Sequence, residues 1–271
     1  MDQPAETYTH GHHESVVSQH ARRTAADAAA FLLPHLRAGM RLLDFGCGPG
    51  SITAGLAEAV APGEVVAIDV VEEVLEQARA HATARSMTNV RFESGSIYKP
   101  AYGEGSFDVV YGHQVLQHLS RPVDALRQAR WLLRPGGVLG VREADYGAMT
   151  WAPADQRLTR FFQVYAEVAR RNGGNANAGR ELRGWLVEAG FDDVTITTST
   201  WTFADPDATQ RWGDSWAQRV TESALAGHAI EYGIATREEL QEIAVGWREW
   251  ARWPTAFFAV VHVEGLGRRP H

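Results

Sequence analysis

The period of apolar and polar positions changes several times along the chain, and each change marks an element. From Ser15 to Leu33 the positions Val17, Ala21, Thr24, Ala28 and Phe31 step by four and three. That spacing predicts an amphipathic helix, stopped near Pro34. Short β-type runs then alternate with helical patterns. The runs are RLLDF (41–45), EVVAID (64–69), NVRFES (89–94), FDVVY (107–111) and GVLGVRE (137–143), with helical patterns at 51–61, 72–85 and 122–134 between them. Strand, helix, strand at this spacing predicts a parallel sheet wrapped by helices on both faces.

The rhythm changes beyond Asp145. A helix with Leu158, Phe161, Tyr165 and Val168 on one face is followed by NGGN, and then by a helix over GRELRGWLVEA that Gly190 closes. DVTITTSTWTF (193–203) and TAFFAVVHV (255–263) read as two further strands. Between them lies a helical insert, 204–253, whose first helix sets Trp212, Trp216 and Val220 on one stripe. Its second helix opens on a capping box, Thr236 to Glu239, and carries Leu240, Ile243 and Trp247. Trp253-Pro254 ends the insert.

Composition then narrows the function. The 271 residues suit one α/β domain with a modest insertion. No apolar run approaches the roughly 20 residues of a membrane span, and the acidic, polar start does not resemble a secretory leader, so a cytoplasmic address and no membrane partner are expected. Cys47 is the one cysteine, which excludes an intrachain disulfide and a cysteine metal cluster. A net charge of −7 without a basic block argues against a nucleic-acid partner.

Candidate chemistry concentrates in LLDFGCGPGSIT (42–53), a buried strand running through three glycines into a helix. Glycines let backbone approach a ligand closely, and the helix start offers unpaired N–H groups. A dinucleotide fingerprint fails, because its third glycine position falls on Ser51. The spacing present is D-x-G-x-G-x-G: Asp44, Gly46, Gly48, Gly50. With Asp69 ending the second strand, SFDVVYGHQVLQHL around the fourth and LRPGG before the fifth, the chain resembles class I S-adenosylmethionine methyltransferases of the UbiE/COQ5-like (methyltransferase domain 11) group.

That resemblance implies a doubly wound, mostly parallel seven-stranded sheet (the Rossmann-like class I fold). An N-terminal lid and helix would occupy 1–38, the cofactor-binding core 39–203, a helical substrate cap 204–253, and the final strand and tail 254–271. It implies S-adenosylmethionine as cofactor, with Asp69 on the ribose diol and Asp44 near the ammonium. Gly46, Cys47, Gly48 and Gly50 would lie against the methionine portion. Val70, Ser96, Ile97 and His113 would complete the pocket, and Cys47 is read as a small loop residue rather than a nucleophile. A small-molecule acceptor of apolar or aromatic character is expected, and a homodimer stays open.

In open α/β sheets the ligand lies outside the carboxyl ends of the strands, which selects His113, Gln114, Gln117, His118, Glu143, Asp145 and Tyr146. The VLQHL segment resembles a post-strand element of the family, and that resemblance implies His118 as a candidate base, titrating near 6.5 if unperturbed, with Asp145 as a second candidate. Gln114, Tyr146 and Trp216 are candidate acceptor contacts. The opening TYTHGHHESVVSQH holds four histidines, yet His10, His12 and His13 lack the spacing and fourth ligand of a zinc site, so no metal is expected. Tyr8 and His12 are instead candidates for a lid over the acceptor.

Overall fold

The computed structural model describes residues 23–271. Tyr8, His12 and the first part of the expected Ser15–Leu33 helix lie outside those residues. Within them the helix does not run on to Leu33. Helix α1 (Ala25–Ala28) is capped by Thr24, whose Oγ1 accepts from Asp27 N, and it ends at Ala29, where φ is −128°. A 3₁₀ turn, Leu33–His35, then accommodates Pro34 in its first residues, where no N–H is needed. The break turns Ala25, Ala28, Ala29 and Leu32 all inward against the sheet.

The alternation becomes β1 (Leu42–Phe45), α2 (Ser51–Val60), β2 (Val65–Asp69), α3 (Glu72–Ala84), β3 (Val90–Ser94), β4 (Phe107–His113), α4 (Pro122–Leu132) and β5 (Leu133–Ala144). These five strands are parallel, in the order β3-β2-β1-β4-β5. Leu42, Leu43 and Phe45 of β1 are buried on both faces, as a central parallel strand requires. One face packs on α1 and α2 through Ala28, Leu56 and Val60; the other packs on α4 and α6 through Leu126, Leu182 and Leu186.

The second half of the chain adds α5 (Gln156–Arg171), α6 (Ala178–Glu188), β7 (Asp192–Phe203), α7 (Pro206–Glu222), α8 (Ala224–Glu231), α9 (Arg237–Ala251) and β8 (Phe257–Arg268). β8 runs antiparallel between β5 and β7. The sheet has eight strands rather than seven, because β6 (Thr150–Ala152) continues along the β5 edge of β8 after a 3₁₀ turn at Tyr146–Ala148. Three residues carry no readable period, so β6 leaves no sequence signal.

The insert holds three helices, not two. Ser223 ends α7 and starts α8 in one extended residue (φ −88°, ψ 175°), folding the chain back. Trp212, Trp216 and Val220 are buried in one core with Leu240, Ile243 and Trp247. α5 shares that core through Leu158, Phe161, Tyr165 and Val168, so four helices, α5, α7, α8 and α9, build one apolar layer. Thr236 caps α9 by accepting from Glu239 N (3.2 Å), and the Glu239 carboxylate reaches back to the Thr236 backbone while pairing with Arg160 (2.7 Å).

Candidate active site

The carboxyl ends of β1, β2 and β4 open into a cavity of about 600 Å³ that reaches up to the helical layer. At its lower end the loop after β1 turns three times through left-handed backbone, with φ of 68° at Gly46, 53° at Gly48 and 75° at Gly50. An L side chain is disfavoured at each of these positions. A Cβ on Gly46 would also sit 2.3 Å from Val115 Cγ2, so the loop is a cradle that only glycine leaves open. Gly46 and Cys47 both donate to the Ile68 carbonyl, tying the loop to β2.

Asp69 closes this end. Its Oδ2 accepts from Gly48 N (3.0 Å) and its Oδ1 from Val71 N (3.1 Å), so the carboxylate is fixed at the strand tip. Asp44 lies deeper, almost fully buried, and accepts from Thr53 Oγ1 at 2.7 Å. Burial pushes its carboxyl up to about 7, Thr53 pulls it back, and the Asp69 charge adds to the rise. Burial likewise pushes the Cys47 thiol well up, with Asp44 and Asp69 adding to it, so no thiolate nucleophile forms there. These residues fit an S-adenosylmethionine molecule: carboxylates for the ribose diol and ammonium, and bare backbone for the methionine chain.

The lining includes Asp44, Gly46, Cys47, Gly48, Asp69, Val70, Ser96, Ile97 and His113 from the expected cofactor set. Gly50 shapes the turn without lining the cavity. Gln114, Tyr146 and Trp216 also line it. Gln114 sits at φ 54°, a strained setting for a non-glycine residue, held by its N–H on the Arg142 carbonyl (2.8 Å). Its Nε2 lies 2.8 Å from His262 Nε2.

The two candidate bases fare differently from expectation. Asp145 does not line the cavity; Arg180 takes both its oxygens, through Nη2 (2.6 Å) and Nε (2.7 Å). It is a buried ion-pair partner that secures the start of α6, not a group facing a substrate. His118 does line the cavity, but burial, with the Arg23 charge adding, lowers its pKa from 6.5 to about 3. Gln117 Nε2 lies 3.0 Å from its Nε2. His118 therefore titrates below the 6.5 of an unperturbed imidazole and is a weaker proton acceptor than a free one.

The sequence assigned no role to several groups that shape the cavity. Glu143 ends β5 fully buried, and its carboxylate accepts from Val115 N, Leu116 N and Gln117 N (2.8–3.3 Å), fixing the segment that carries His118. Burial outweighs those three bonds and holds the Glu143 carboxyl up at about 8. Arg219 on α7 and Arg23 ahead of α1 also line the upper cavity, with Trp201, Trp212 and His228. Arg219 was legible: three residues after Trp216, it shares the Trp212–Trp216–Val220 face. Trp201 was not, because its place between Arg23 (5.1 Å) and Arg142 (4.7 Å) is made by tertiary contact alone.

Comparison with known proteins agrees with this geometry. A methyltransferase domain family matches residues 36–190. An uncharacterized methyltransferase of Schizosaccharomyces pombe is 33% identical over 253 residues, covering 90% of this chain and 89% of its own. The crystal structure of the YcgJ protein from Bacillus subtilis superposes with a TM-score of 0.58 at 16% identity, covering 89% and 97% of the two chains. A Haemonchus contortus phosphoethanolamine N-methyltransferase, solved with phosphomonomethylethanolamine and S-adenosylhomocysteine, gives 0.55 at 14% identity, covering 87% of this chain and 50% of that one. With the glycine cradle and the strand-tip carboxylate beneath a helical cap, the chain belongs to the methyltransferase domain family and is a class I S-adenosylmethionine-dependent methyltransferase.

Proposed function

We propose that the protein methylates a small aromatic or apolar molecule held between the glycine loop and the helical cap. We also read it as lying closest to the UbiE/COQ5-like branch, on the motif order around Asp44, Asp69 and VLQHL. The observation that carries the acceptor class is the continuity of the cavity. One space joins the Asp69 end to walls formed by Tyr146, Trp201, Trp212 and Trp216. Among the described residues no helix is long and apolar enough to cross a membrane.

Bound S-adenosylmethionine supplies a methyl group on a sulfonium, open to in-line displacement by the acceptor. The chain's own part is alignment and exclusion of water, and orientation alone can contribute roughly 7–11 kcal/mol to rate. Asp69 and the loop backbone fix one reactant; the tryptophan wall and the Gln114 amide orient the other. Glu143 holds the His118 segment by three backbone bonds, so that wall keeps its shape. His118 presents a neutral imidazole for hydrogen bonding.

Incubation with methyl-labelled S-adenosylmethionine and a set of aromatic hydroxy and amino compounds tests this, with labelled product sought by mass spectrometry. Product from an aromatic acceptor is expected. Transfer confined to protein or nucleic acid would overturn the reading.

A further inference from the structure

A buried polar cluster crosses β5, β8 and β7 beside Gln114. Arg142 of β5 and His262 of β8 are both fully buried. Arg142 Nε lies 3.4 Å from Glu264 Oε1, and Ser199 Oγ joins the two, accepting from Arg142 Nη2 (3.0 Å) and donating to Glu264 Oε1 (2.6 Å). The Arg142 guanidinium stacks on the Trp201 ring at 4.7 Å, and the His262 imidazole meets the same ring at 4.3 Å. This cluster grips the cavity-lining Gln114 twice. The Arg142 carbonyl accepts from Gln114 N (2.8 Å), where the backbone turns through φ 54°, and His262 Nε2 takes the side-chain amide at 2.8 Å.

The contact joins two nitrogens, so the amide N–H donates to a bare His262 Nε2 and the ring proton sits on Nδ1. The Val260 backbone supports that tautomer, raising the ring's pKa as a carbonyl beside an N–H does, although Nδ1 makes no well-aligned bond. A second proton is kept off by burial, with the Arg142 and Arg23 charges adding to it, so Nε2 retains its lone pair. Turning the amide over would set its oxygen against that lone pair. Gln114 Oε1 is then the polar atom of this side chain that no described residue meets. Resting on the methyltransferase reading, we propose that Gln114 Oε1 selects the acceptor by taking a hydrogen bond from its O–H or N–H, and that His262 is the positioning residue that keeps the amide turned that way. The acceptor narrows from an aromatic or apolar molecule to one carrying a hydroxyl or amine hydrogen, because a ligand without one leaves the oxygen unpaired.

Nitrogen NMR and a matched pair of probes test the proposal without turnover. Long-range proton–nitrogen spectra of the S-adenosylhomocysteine complex should show His262, assigned by its loss in His262→Gln, with Nδ1 protonated and Nε2 bare from pH 6 to 8. A ring protonated at Nε2 overturns the proposal. The same complex is titrated by calorimetry with 2-naphthol and with 2-fluoronaphthalene, which keeps the ring and size but has no hydrogen to donate. The naphthol is expected to bind about tenfold more tightly, the scale of one hydrogen bond whose loss leaves a partner unsatisfied. Gln114→Met should erase that preference and His262→Leu should weaken it, while His262→Gln, still able to accept from the amide, should restore part of it. S-adenosylhomocysteine affinity within about twofold of wild type in the two His262 variants reports that they are folded. Equal binding of the two probes overturns the proposal, as does binding of neither, or a preference that survives either Gln114→Met or His262→Leu intact. Failure of S-adenosylhomocysteine itself to bind wild type would instead remove the cofactor reading, and the proposal with it.

Discussion

Asp44 and Glu143 sit near the ends of β1 and β5 and His118 in the 3₁₀ turn Leu116–His118 after β4, and each is moved from its ordinary pKa by burial more than by any neighbour. For His118 the consequence is a stability effect. The unfolded imidazole takes up a proton near 6.5, while the folded one stays neutral down to about 3. Its contribution to stability is therefore complete above about 6.5 and is lost as pH falls toward 3, at about 1.4 kcal/mol per pH unit. His262, also lowered well below its usual value, acts in the same direction. Urea unfolding of wild type and His118→Gln between pH 4 and 7 should show a shallower pH slope for the variant; parallel slopes would mean that His118 titrates normally. At Gly46, alanine meets both a φ of 68° and Val115 Cγ2 at 2.3 Å, so Gly46→Ala should weaken S-adenosylhomocysteine binding by at least about tenfold, as read by calorimetry.

At the scale of elements, much of the order was legible because each had its own local signal. The glycine loop had its spacing, β1 its unbroken apolar run, α6 its closing glycine and α9 its threonine cap. What was not legible depended on contacts distant in sequence. Three-residue β6 exists because β8 offers an edge, α8 because Ser223 turns the chain, and the early end of α1 because four small or apolar residues face the sheet. Likewise, Asp145 looked catalytic by position, and only the fold reveals Arg180 on both its oxygens. The cap has a comparable hidden device. Gly213 on α7 lets α9 approach so closely that an added Cβ would lie 2.6 Å from both Trp247 O and Ala251 Cβ. Gly213→Val should therefore cost about 1–3 kcal/mol in denaturant unfolding, through the overpacked α7–α9 crossing. A change under about 0.5 kcal/mol would show that the crossing can widen without loss.

For the whole molecule, the cofactor site spans the loops of three strands, so a ligand there couples to global unfolding rather than to one loop. S-adenosylhomocysteine at a hundred times its Kd should stabilise the fold by about 2.7 kcal/mol. For a chain of this length that corresponds to a rise of roughly 5–11 °C in Tm, measurable by scanning calorimetry. The most direct test of the account is calorimetric titration of wild type and Asp69→Ala with S-adenosylhomocysteine. Asp69 lines the cavity, fixed by Gly48 N and Val71 N at the tip of β2. The account predicts one site per chain in wild type and a loss of about 1.5–3 kcal/mol, roughly tenfold to more than a hundredfold in Kd, in the variant. Absence of binding to wild type, or equal affinity in the two proteins, would contradict it.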